Sequence, residues 1–236
     1  MLRFVFDAFK DYPGILPRAK PLRTSIMLEQ PLKFFVVFFV VVEPISLIPL
    51  FSGLTAGATR QYQRRMALKA VGVSAVILLL FVLGGAAFLD LMGISLEAFR
   101  VFGGLLLFLL ALEMVFARES GTRTSSGEAA ESRRRADISV FPLAFPFIAG
   151  PGALATILLW FGPLHLAGQA ALFGTLLAAV ALVLAIALVL MLLADPLMRV
   201  IGVTGANVAA RLLGVILGAL AVQFVLDGLR QAFGVN

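Results

Sequence analysis

The chain has no cysteine, one histidine, one tryptophan and two tyrosines among 236 residues. Without cysteine there is no disulfide framework and no thiolate chemistry. The single histidine, His165, sits in a short apparent loop and reads as a surface residue. With no His or Cys cluster, no transition-metal site is expected. Charge is scarce: Asp, Glu, Lys and Arg make up 14% of the chain, where a soluble domain carries about 25%. The net charge of +6 does not point to nucleic acid, because the basic residues gather in the segments between apolar runs. No Walker motif or other nucleotide signature is present, which argues against an ATP-driven pump. No Ser/His/Asp constellation or metal motif supports an enzyme. No cofactor is expected.

What is abundant is apolar sequence. Hydrophobic residues make up 61% of the chain and its mean hydropathy is +1.05. Several apolar runs exceed the length needed to cross a bilayer. The expected fold is an all-α membrane protein with six spans, at about 33–54, 67–91, 97–117, 140–161, 169–194 and 208–230. The second and fifth are continuous and apolar all round, so they read as lipid-facing or packing helices. The third and sixth carry small residues along one face, Gly103, Gly104 and Ala111 in one and Gly214, Gly218 and Ala221 in the other. Gly214 and Gly218 form a GxxxG pair, which suits close helix packing better than a substrate path.

Residues 1–32 form an N-terminal extension and 33–236 the six-helix domain. The domain divides into halves of about 33–117 and 138–233, joined by the polar loop 118–137, RESGTRTSSGEAAESRRRAD. Arg60, Arg64, Arg65, Arg118, Arg123, Arg133, Arg134, Arg135 and Arg199 follow spans one, three and five. That distribution places those loops in the cytoplasm and both termini outside. The basic residues of the extension, Arg3, Lys10, Arg18, Lys20, Arg23 and Lys33, argue the other way and are outweighed. The extension lacks the clean apolar core and cleavage site of a signal peptide. An interfacial segment and a start codon placed too early are both consistent with it.

Two of the apolar segments are broken. FFVVFFVVVEPISLIPLF, residues 34–51, holds Glu43 near its middle and prolines at Pro44 and Pro49. FPLAFPFIAGPGALATILLW, residues 141–160, is broken at Gly150-Pro151-Gly152. An ionisable group in a span costs at least ~2.5–3.5 kcal/mol, and interior prolines free backbone groups that must face protein or a wet cavity. Paired interrupted segments in corresponding places point to a transporter's central site. Each half has three spans, so the halves run in opposite directions. Span three opens GISLEAFRVFGG and span six GVTGANVAARLLG, each with an Arg three residues before a Gly. The expected architecture is a 3+3 inverted repeat with broken first and fourth helices.

Glu43 is the leading candidate for chemistry. A carboxylate held away from water favours its neutral form and can cycle a proton, or it can hold a substrate ammonium. Its alternative role is a neutral cap on broken backbone. Arg100 and Arg211 occupy equivalent repeat positions near opposite membrane faces and could grip a substrate carboxylate; pairing with Glu97 or Asp195, or anchoring at the interface, fits equally. Glu113 reads as snorkelling or pairing with Arg118. Gly150, Pro151 and Gly152 restart a helix whose N–H groups suit a carboxylate. Ser46 and Thr156 could add hydroxyls, although bonding their own helix backbone is the commoner use.

EPISLIPLF in the first span, GISLEAFRVFGGLLLFLLALEM across the third and DISVFPLAFPFIAGPGALATI leading into the fourth resemble the MarC family, also called the neutral amino acid transporter family. The resemblance runs over about 33–233, and its most specific part is PLAFPFIAGPGA, Pro142 to Ala153. It implies a six-helix inner-membrane protein related to the lysine-exporter superfamily and a carrier of small neutral amino acids such as glycine or alanine. The family pattern has Asp or Asn before the first proline and Gly-Asn inside the motif. Here those positions are Glu43, Ser46 and Leu47, so the ligand that an Asn amide supplies does not carry over.

The resulting expectation is a secondary transporter of small neutral amino acids or similar zwitterions, coupled to protons or another cation. The alternatives are a channel or exporter for another small solute or cation, and a membrane protein that transports nothing. The expected partners are the lipid bilayer and a small-molecule substrate, with no nucleic acid; a homo-oligomer is compatible with the sequence.

Overall fold

The computed structural model describes residues 23–116, 137–164 and 166–234. The linker residues 118–136, His165 and the extension up to residue 22 lie outside them. The described residues form helices throughout: α1 Arg23–Val42, α2 Leu47–Leu54, α3 Arg60–Leu91, α4 Leu96–Phe116, α5 Ser139–Ile148, α6 Pro151–Phe161, α7 Leu166–Leu192 and α8 Ala194–Phe233. Five segments are long and apolar enough to cross a membrane: Glu29–Leu54, Arg60–Leu91, Leu96–Phe116, Gln169–Leu192 and Thr204–Phe233. The pair α5 and α6, bent by 53°, makes the sixth candidate. This is an all-α membrane architecture, with the first apolar segment divided between α1 and α2.

Local chemistry sets the ends. Thr59 caps α3 by accepting from the Tyr62 amide at 3.3 Å, and the Ser95 hydroxyl accepts from the Ala98 amide at 3.2 Å. Asp137 accepts from the Ser139 amide at 3.0 Å at the start of α5. Each satisfies a donor that a helix start leaves open. α5 is a widened, irregular turn sequence, with extended residues at Phe141 and Phe145.

The broken first span is the centre of the bundle. Of its most apolar window 61% is buried, against 17% for Arg60–Leu91. Phe34, Phe38, Leu47 and Phe51 are among its fully buried side chains. α1 packs against α7 and α6, and α2 against α8 and α7. α3 buries Ala67, Ala70, Ser74 and Leu78, while Val76, Leu80 and Leu83 stand exposed on another face. That apolar face suits lipid. α7 is more deeply packed than an all-round apolar sequence suggests: Leu176, Val180, Val183, Ala187 and Met191 are buried at helical spacing.

α4 and α8 form the closest pair, and they run antiparallel. Gly228 lies against Val101 and the Glu97 carbonyl, Gly104 against Ala221 and Val225, and Gly214 against Ala111 and Met114. A Cβ on Gly104 would stand 2.9 Å from the Ala221 carbonyl oxygen, and one on Gly214 would stand 3.2 Å from the Ala111 carbonyl oxygen. The missing side chains are what let these backbones approach, as small residues do between membrane helices.

Candidate functional site

α1 ends at Val42 because Glu43 turns the chain. Its φ is +56°, in the left-handed region that costs a non-glycine residue about 1–2 kcal/mol. Pro44 follows, is buried and has no amide to donate. The Glu43 amide still donates to the Phe39 carbonyl at 3.0 Å, and the Ser46 amide donates to the Glu43 carbonyl at 3.0 Å. The break is therefore a tight hydrogen-bonded elbow from which α2 starts. The Glu43 side chain is 1% exposed. Its Oε1 accepts from the Ser46 hydroxyl at 2.7 Å. Pro49 sits half-buried within the first turn of α2, where a proline's missing N–H is least damaging.

The second break lies against the first. Gly150 precedes α6 and Pro151 occupies its first turn, a position where its fixed φ suits helix initiation. A Cβ on Gly150 would stand 2.1 Å from the Pro146 carbonyl oxygen, so backbone alone fits there. A Cβ on Gly152 would meet Leu107 Cδ2 of α4 at 2.7 Å and Val41 Cγ1 of α1 at 3.3 Å. Val41 is two residues before Glu43. The two interruptions and the middle of α4 thus converge. Thr156 is buried and donates to the Gly152 carbonyl at 2.9 Å.

The structure sorts the sequence candidates. Glu43, Pro44 and Ser46 form one elbow, and Gly150, Pro151, Gly152 and Thr156 form the wall beside it. Ser46 holds the carboxylate and Thr156 bonds its own helix, the commoner use of a hydroxyl. The two arginines lie elsewhere. Arg100 is half-buried and precedes Leu107, the neighbour of Gly152, by seven residues, about 10 Å along a helix. Arg211 is exposed. The α4–α8 register sets it near Phe116, nine residues beyond Leu107, or about 13 Å the other way. They flank the level of the breaks on opposite sides.

Two polar groupings were not anticipated. At one end of the bundle the Asp195 carboxylate accepts from the Ser52 hydroxyl at 3.0 Å and from the Gln63 amide at 3.0 Å. Gln63 also donates to the Thr55 hydroxyl at 3.3 Å, and Thr55 donates to the Phe51 carbonyl at 2.7 Å. The Gln63 bond, then the Ser52 bond and the nearby charges of Arg199 and Arg60, hold the Asp195 carboxyl below its ordinary range against the cost of desolvation. So Asp195 pairs with the first half and is not the partner of Arg211. At the start of α5, Asp137 pairs with Lys69 and accepts from Ser139. The Lys69 bond, ahead of the Ser139 bonds, lowers its carboxyl to about 2. The visible signal for the first grouping was polar residues, Ser52, Thr55, Gln63 and Asp195, at the edges of otherwise apolar runs.

Helices long enough to span a bilayer, a broken central span and apolar outer faces define an integral multi-pass membrane protein. Comparison places it more closely: the model of the MarC family integral membrane protein matches residues 28–233, and the chain belongs to that family. It is 37% identical to a "UPF0056 membrane protein" of Aquifex aeolicus, over 84% of this chain and 92% of that one. It is 34% identical to YhcE of Escherichia coli, over 85% and 92%, and 34% identical to YvbG of Bacillus subtilis, over 85% and 94%. Those names state a membrane protein and no substrate. No solved structure matches the chain.

Proposed function

We propose that this protein is a secondary transporter of small neutral amino acids or similar small zwitterions across the inner membrane, coupled to protons or another cation at Glu43. The observation that carries the reading is a carboxylate 1% exposed at a left-handed elbow in the central span. Such a group is costly in a membrane interior and is typically functional there. Its setting beside a second broken segment suits a zwitterion: Glu43 for an ammonium or a proton, and the start of α6 for a carboxylate. Arg100 and Arg211 then act away from the binding level.

An inverted repeat belongs to the same proposal. Gly93 and Gly202, at the openings of spans three and six, share left-handed φ values of +68° and +66°. The glycine contacts of α4 and α8 are reciprocal along an antiparallel pair. Arg60, Arg64, Arg65 and Arg199 follow the first and fifth spans, at the end of the bundle that also carries Asp195. This end is assigned to the cytoplasm and both termini to the other side.

The test is uptake of glycine, alanine and a panel of other small zwitterions in proteoliposomes, with and without a pH gradient. Glu43→Gln keeps the shape of the side chain. It is expected to abolish gradient-driven accumulation while leaving exchange without net proton movement. Loss of binding and exchange together assigns Glu43 to the ammonium. Wild-type accumulation and pH dependence in the Gln variant would remove Glu43 from the mechanism.

A further inference from the structure

Glu43 lies between two closures of different chemistry. Phe34 is nine residues before it, about 13 Å along α1, and Ser52 is nine residues after it, on α2 beyond the elbow. At the Phe34 end the closure is aromatic. Phe34 stands edge-on to Trp160 and Phe161 at 5.5 and 5.8 Å between ring centres, and Phe161 to Phe173 at 5.2 Å. At the Ser52 end the closure is polar, and it joins the two halves of the chain: Asp195 takes both Ser52 and Gln63.

We propose that Asp195 is the latch of the arginine-rich end, and that release of Ser52 and Gln63 lets α2 swing away and open Glu43 to that side. This rests on the transporter reading. α2 is built to move as a unit. It is eight residues long, with the Glu43 elbow before it and a turn after it that contains Gly57 at φ +76°. Asp195 holds the far end of this short helix. A hydrogen-bonded clamp of fixed partners is either made or broken, which gives a two-state element. Aromatic packing at the other end lacks that directional register.

Ile48 supplies the reporter. It is 3% exposed and one turn from Ser52 toward Glu43, on the same face of α2. The chain has no cysteine, so Ile48→Cys is the sole thiol. In reconstituted vesicles, an impermeant maleimide is added to the arginine-rich side. Each hydrogen bond to a charged acceptor biases such an equilibrium by about tenfold or more. Asp195→Ala is therefore expected to accelerate labelling at least tenfold from that side only, with a smaller effect in Asp195→Asn. An unchanged rate in the Ala variant overturns the latch. So does equal acceleration from both sides, which reports general loosening. If Asp195→Ala does not fold, Ser52→Ala and Gln63→Leu each remove one bond, and the same criteria apply to them. Labelling needs no substrate, so a silent uptake panel leaves this result decisive by itself.

Discussion

Adding one methyl group at Gly152 tests whether the two breaks meet as described. The new Cβ of Gly152→Ala would stand 2.7 Å from Leu107 Cδ2 and 3.3 Å from Val41 Cγ1. Carbon atoms pack best at about 3.5–4.0 Å, so the first contact is short by roughly 1 Å. Leu107 is 0% exposed and Val41 is 3% exposed, so neither has solvent to move into. Overpacking of this kind costs about 1–3 kcal/mol. Replacing Gly by Ala in a helix returns up to ~1 kcal/mol; subtracted in full, this leaves a net loss of roughly 0–2 kcal/mol. For a chain of this size that is a fall of up to about 8 °C in thermal midpoint. The assay is thermal unfolding of the purified protein in detergent, with Leu107→Val and the double variant alongside. Leu107→Val removes the clashing methyl and on its own costs about 1 kcal/mol. The double variant should therefore be more stable than the sum of the two losses, by about 1 kcal/mol of coupling. Strict additivity, or a Gly152→Ala midpoint above wild type, refutes the convergence of α1, α4 and α6 at this point.

Gly104→Ala meets backbone at 2.9 Å, whereas Gly218→Ala meets only the Ala111 methyl at 3.5 Å; the first should destabilise by about 1–3 kcal/mol and the second should be neutral or stabilising by up to ~1 kcal/mol, as read by thermal midpoints. Asp137 has a carboxyl lowered to about 2, so its pair with Lys69 contributes above the ordinary carboxylate range and is lost as pH falls toward 2. The pair is exposed, with side chains 45% and 42% accessible, so Asp137→Asn should cost less than ~1 kcal/mol at neutral pH, and its unfolding curve should converge with wild type in strong acid. An impermeant thiol reagent should not label Ser125→Cys from outside intact cells; labelling there rejects a cytoplasmic 118–137 segment.

The spans were legible because a bilayer imposes length and hydropathy on sequence, and five apolar segments and a bent pair emerge close to where composition put them. The breaks were legible too, since Pro44, Pro49, Gly150 and Pro151 punctuate otherwise continuous apolar runs. The close-packing role expected of the Gly214–Gly218 pair holds at Gly214, where a Cβ would stand 3.2 Å from the Ala111 carbonyl oxygen, and not at Gly218, where a Cβ has room. The left-handed turn at Glu43 was not legible, because glutamate is no signal for positive φ. Arg100 and Arg211 were expected near opposite membrane faces, and they flank the level of the breaks on opposite sides; what they hold there was not legible, because a matched distance to a glycine reports repeat position alone. Asp195 escaped because its partners Ser52 and Gln63 are 143 and 132 residues away in the chain, beyond the reach of any local pattern.

The elbow itself argues for the side chain it carries. At a φ of +56° the non-glycine residues most at ease are Asn and Asp. A glutamate there takes on backbone strain that the shorter residues largely avoid, and it does so at a buried position in the central span. Strain held at one point calls for an explanation in function or in packing. Packing does not call for a carboxylate, because an apolar side chain would fill the same space without the polar desolvation cost. What glutamate adds over aspartate is one methylene of reach. That reach brings Oε1 to the Ser46 hydroxyl across the first turn of the break, which fixes where the acid group sits relative to the start of α2. Glu43→Asp should relax the elbow yet withdraw the oxygen from that hydroxyl. It is therefore expected to raise the thermal midpoint while weakening transport. A variant that gains both stability and full activity would show that the extra methylene has no role in positioning the acid.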